Sequence, residues 1–118
     1  MTKILTGGVG RAEVAAAVEE LRLDGVTVVL SDDMDAAMQL RAGRADYYLG
    51  TCHTGAGASL GVLVGLMGRA ACHTFGRTVP TDDEIGALLA DGKRIFGFSL
   101  DQMDAVTPAL ARAIAAHG

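Results

Sequence analysis

A chain of 118 residues falls in the size range of one domain and leaves no room for two independent cores. Half of it is hydrophobic, yet it holds only three Phe, two Tyr and no Trp, so Ala, Val, Leu, Ile and Met must fill the core. A formal charge of −4 without any basic run excludes a nucleic-acid face, which needs concentrated Lys and Arg.

Sixteen glycines against two prolines, with a charged fraction of 20%, point to tight turns and close backbone approaches rather than disorder. The longest apolar run, Ala58 to Met67, is too short to span a bilayer, and Met1 to Gly10 lacks the apolar region of a signal peptide. Two cysteines then read most simply as thiols of a cytoplasmic protein.

In chain order, Thr2–Thr6 predicts a short strand closed by Gly7-Gly8-Val9-Gly10, and Val14, Val18 and Leu21 recur at helical spacing until Asp24-Gly25. Val26–Leu30 is a continuous β-branched run of the kind buried on both faces. Ser31-Asp32-Asp33 caps a helix carrying Met34, Ala37, Met38 and Arg41 that stops at Gly43. Asp46–Gly50 predicts a third strand, followed by a glycine-rich turn and an apolar helix from about Ala56 to Met67. Arg69–Thr74 is a fourth strand, and Thr81-Asp82-Asp83-Glu84 has capping-box spacing for a helix facing Ile85, Leu88 and Leu89 inward until Gly92. Arg94–Phe98 is the fifth strand, and a last helix runs from about Gln102 to His117 with Pro108 near its first turn.

This alternation predicts a single α/β domain over 1–118. It is a three-layer sandwich with a five-stranded parallel sheet in flavodoxin-like order 2-1-3-4-5 and helices on both faces. Ligands of such sheets bind beyond the carboxyl ends of the strands, at the switch between first and third. Two glycine-rich segments fall there.

The segment after the third strand, Gly50 to Ser59, combines Cys52, His53, Thr51, Thr54 and Ser59 with Gly55 and Gly57 at the expected mouth of a helix. Unpaired helix-terminal amides favour a phosphate or carboxylate, and the same environment lowers a thiol pKa, making Cys52 a candidate base or nucleophile. Two other readings stand beside this one: Gly55 and Gly57 serve only a tight turn, and Cys52 is a small buried hydrophobe. Cys-His-Thr recurs at 72–74, which offers His73 as a partner for Cys52 or the ligand. A zinc set of both pairs lacks the usual ligand spacing, and neighbouring strand residues point to opposite faces, so no metal or other cofactor is expected. Gly7, Gly8, Gly10 and Arg11 resemble a phosphate loop loosely, without the Lys-Ser/Thr of a nucleotide site or Gly-x-Gly-x-x-Gly spacing. Gly57, Gly61 and Gly65 form a ridge that faces either the sheet or a second copy of the helix, the latter giving a homodimer.

Asp33-Met34-Asp35-Ala36-Ala37-Met38, Asp46-Tyr47-Tyr48-Leu49-Gly50 and Cys52-x-Thr54-Gly55-Ala56-Gly57-Ala58 together resemble the YhfU family of bacterial proteins, over nearly the whole chain including Gly97-Phe98-Ser99. That family is a domain of unknown function, and the resemblance implies association with a membrane transporter encoded alongside. Cys52 to Leu60 is also similar to the Cys-Gly-Thr-Gly-x-Gly-x-Ser-Ile segment of the ribose-5-phosphate isomerase B and galactose-6-phosphate isomerase family. This second resemblance implies Cys52 as base and the following amides as an oxyanion site. The Asp-His pair those enzymes carry after the first strand is replaced here by Gly7-Gly8. The small B components of sugar phosphotransferase systems share the size and layout, but their cysteine follows the first strand. The expectation that emerges is a protein binding a small anionic, sugar-phosphate-like metabolite after the third strand. The alternatives are an aldose–ketose isomerase or an accessory subunit of a transporter.

Overall fold

The computed structural model describes residues 1–53 and 60–117. Five strands, β1 (Thr2–Gly8), β2 (Val26–Leu30), β3 (Tyr47–Cys52), β4 (Cys72–Thr74) and β5 (Ile95–Ser99), pair in parallel. Helices α1 (Arg11–Glu20), α2 (Asp33–Arg41), α3 (Gly61–Met67), α4 (Asp82–Ala90) and α5 (Met103–His117) connect and cover them.

The sheet order is β2-β1-β3-β5-β4, which corrects the expected 2-1-3-4-5 within the same three-layer class. Burial explains the exchange. All five residues of β5 are buried, whereas β4 is a three-residue strand with Thr74 exposed. The strand with apolar side chains on both faces takes the interior place beside β3, and the short one is left at the edge. Gly68 at φ +91° and a 3-10 turn over Arg69–Ala71 use up the front of the run expected as strand.

Strand alternation builds two cores. Ile4, Leu49, Phe96 and Phe98 face α1, α4 and α5, where Val14, Val18, Ile85, Leu110 and Ile114 close the layer. Leu5, Tyr48 and Ile95 face α2 and α3, against Ala36, Ala37, Leu40, Leu60 and Leu63.

Two other expectations change. β2 keeps the edge place the expected order gave it but is not buried on both faces, with Val29 41% and Leu30 54% exposed, because an apolar β-branched run reads alike at an edge and in an interior. Pro108 lies inside α5, after a 3-10 turn at Leu100–Gln102, rather than in the first turn. The caps follow the sequence: Asp32 accepts the Asp35 amide at 2.8 Å, and Thr81 and Glu84 form a capping box.

Candidate functional site at the carboxyl edge

β1 leaves the sheet centre toward β2, and β3 leaves it toward the opposite edge, so the connections diverge between these neighbouring strands. This is the switch point where ligands of open α/β sheets lie. The chain arrives there differently from the sequence expectation. Gly7 and Gly8 are not loop residues but the last pairs of β1, in register with Gly50 and Thr51.

The top of β1 is bound tightly to β3. Thr51, 1% exposed, accepts the Gly10 amide hydrogen through its hydroxyl at 2.7 Å, and the same hydroxyl donates to the Gly7 carbonyl at 3.3 Å. The Thr51 carbonyl takes the Val9 amide at 3.2 Å. Gly8 adopts φ +86°, and a side chain there would run into the Thr51 backbone, which explains its identity. Val9 and Gly10 therefore spend their N–H groups on β3, the opposite of an open phosphate cradle. Arg11 turns away as well, donating to the Ser31 carbonyl at the end of β2 at 3.2 Å.

On the α2/α3 face, Gly7, Gly50 and Gly97 stand in one row across β1, β3 and β5. The row makes room for two large side chains. The phenol of Tyr48 lies over Gly7 and Gly50, and Leu60 lies over Gly50 and Gly97, with Cδ1 at 2.9 Å from a Cβ built on Gly97. Burial pushes the Tyr48 hydroxyl well above its ordinary pKa, with Asp33 and Asp32 adding and Arg11 opposing, so it is a neutral phenol at physiological pH.

Beyond that row, the register sets Cys52 beside Ser99, the last residues of β3 and β5. His53 follows as an exposed bend. Thr54, Gly55, Gly57 and Ser59 lie outside the described residues, as does the expected helical stretch 56–59; α3 begins at Gly61. Ser99 was missed by sequence reasoning, because nothing in Phe98-Ser99-Leu100 marks a strand end facing Cys52 until the strand order is known.

His73 does not join this group. It pairs with Phe96, on the other face of the sheet, and its ring meets Phe75 edge-on at 4.8 Å. Burial, with Lys93 adding, pulls its pKa below the ordinary value. β5 also separates the two Cys-His pairs, and among the described residues no three His, Cys, Asp or Glu converge as for a metal ion. Cys72 instead donates its thiol to the Gly68 carbonyl at 3.5 Å, and burial raises its pKa.

Around the end of β2, Arg11, Leu30, Ser31, Asp32 and Asp35 line a shallow cavity of about 310 Å³. Hydrogen bonds from Ser31 at 2.6 Å and from Gln39 hold the Asp35 carboxyl below the usual range. A groove of about 600 Å³ between α4 and α5 carries none of the candidate residues. The glycines of α3 face outward: a Cβ at Gly61 or Gly65 would meet nothing within 4 Å. Among the described residues no helix is long and apolar enough to cross a membrane.

Comparison with known proteins gives a family and no activity. The model of a family described as "Protein of unknown function DUF2620" matches residues 2–114. The chain is 32% identical over 112 residues to the "Uncharacterized protein YhfU" of Escherichia coli K12, covering 93% of this chain and 96% of that protein. The YhfU proteins of Escherichia coli O6:H1 and Shigella flexneri match to the same extent. No solved structure matches. The chain is thus a member of the DUF2620 family, to which it belongs over almost its whole length.

Proposed function

We propose that this protein binds a small anionic metabolite of the sugar-phosphate kind at the carboxyl edge of β1 and β3, with Cys52, His53 and the segment that follows as the contact region. The observation that carries the reading is the divergence of the connections from β1 and β3, since open α/β sheets hold their ligands at the strand ends where such connections part. The tight binding of Gly7–Gly10 to Thr51 moves the contacts toward β3 and away from the first loop. Melting of the full chain in ribose 5-phosphate, inorganic phosphate and succinate tests this. A ligand at a hundred times its Kd stabilises by about 2.7 kcal/mol, a shift of several degrees for a domain this size. No shift with any of the three sinks the reading.

A second reading, an accessory subunit of a membrane transporter or a homodimer, has its own support. Leu66 on α3 and Met34 and Met38 on α2 are exposed on two helices that pack together, beside the outward Gly61 and Gly65. Sedimentation of the wild type and Gly61→Leu tests the dimer form; a wild-type monomer at high concentration removes it.

A further inference from the structure

Ser99 is 0% exposed, and its hydroxyl has no hydrogen-bond partner among the described residues. Buried hydroxyls are nearly always paired, so an orphan in a native fold needs a cause. The only other such hydroxyl among the described residues, on Thr107, sits on α5 between core residues Val106 and Leu110. Ser99 is placed differently. It ends β5 at the carboxyl edge, on the face shared by Ile95 and Gly97, and stands in register with Cys52 on the neighbouring strand about 4.8 Å away. Toward the core, the space over Gly97 and Gly50 is taken by the carbon atoms of Leu60, which offer no partner. Ser99 is the last residue of β5 and the N-cap of the 3-10 turn at Leu100–Gln102, which it does not cap, so its unmet hydrogen bond lies at the carboxyl edge of the sheet.

We propose that Ser99 is a ligand-contact residue whose hydroxyl donates a hydrogen bond to an oxyanion oxygen, of a phosphate or a carboxylate, held at the ends of β3 and β5. This rests on the binding reading above and deepens it, because it puts a donor on β5, beside Cys52. Such a donor is neutral and fixed by the sheet, so it adds selectivity for an anionic oxygen without adding charge.

The test is calorimetric titration of the full-length wild type, Ser99→Ala and Thr107→Val with ribose 5-phosphate, inorganic phosphate and succinate. One charge-assisted hydrogen bond corresponds to roughly a ten- to hundredfold change in Kd. Ser99→Ala should weaken binding by that factor while melting no lower than wild type, and Thr107→Val should bind as wild type does. Response to the phosphates alone identifies a phosphoryl group; response to succinate identifies a carboxylate. Wild-type amide NMR signals provide an independent readout, with Ser99 expected to shift on titration. Equal affinity in folded Ser99→Ala, or an unmoved Ser99 signal during wild-type binding, overturns the inference and leaves the binding reading intact. Wild type that binds none of the probes overturns both.

Discussion

The hydroxyl of Thr51 on β3 accepts the amide hydrogen of Gly10 at 2.7 Å, closing the turn that leads into α1. Gly10 is the N-cap of α1 and has no side chain to cap it; the contact from a residue 41 positions away instead ties the N-cap amide itself to β3. Thr51→Val keeps the shape and removes the acceptor, leaving a buried N–H unpaired at a cost of about 1–3 kcal/mol. Urea unfolding should show a lower midpoint at unchanged slope. A midpoint equal to wild type would mean that the turn finds another partner for Gly10.

Gly97 makes the opposite kind of statement. A methyl group there would press on Leu60, at 2.9 Å from Cδ1 with further contact at 3.2 Å, and Leu60 is itself buried between sheet and helix. Gly97→Ala should destabilise by about 1–3 kcal/mol, the usual cost of overpacking. Gly65→Ala, in the middle of α3 with open space around it, should gain up to about 1 kcal/mol from helix propensity. The pair is best read side by side in thermal melts, since equal responses would show that the glycine row does not admit Leu60 by its lack of side chains.

The layered α/β class was legible because Val14 and Val18, Ile85 and Leu89, and Leu110 and Ile114 repeat at helical spacing between short apolar runs. Strand order was not. The choice between β4 and β5 for the interior depends on which strand is covered on both faces, Gly97 beneath Leu60 on one side and Phe98 within the other core, which no local pattern encodes. The same gap hid the candidate site. Cys52 and Thr51 stand out as residues, but the pairing of Cys52 with Ser99 and the use of Val9 and Gly10 by Thr51 exist only across strands. His73 shows the converse: its motif repeats that of Cys52-His53, and the sheet sends it to the other face.

Thiol chemistry gives a third prediction. Burial raises the pKa of Cys72, Lys93 opposes it weakly, and the thiol donates to the Gly68 carbonyl. In a Cys52→Ser variant the remaining thiol should react with a disulfide reagent more slowly at pH 8 than a free peptide cysteine does, because less thiolate is present. The rate should climb at pH values above the ordinary thiol range. A rate matching the peptide at pH 8 would show that Gly68 and the surrounding carbon do not shield it.

Alkaline stability should isolate Tyr48. Its folded pKa is raised by burial first, then by Asp33 and Asp32, above the unfolded value of about 10. The folded state therefore favours the neutral phenol. The stability this contributes is fully present below pH 10 and is lost as pH rises through that value toward the folded one, because the unfolded chain ionises first. Tyr48→Phe removes the ionisation while keeping the ring over Gly7 and Gly50. Wild type should lose stability more steeply than Tyr48→Phe when urea midpoints are followed from pH 9 to pH 11. Tyr47, whose pKa burial also raises, titrates in both proteins and cancels in the difference. Parallel curves would mean that the Tyr48 hydroxyl reaches water, and that the glycine row does not bury it.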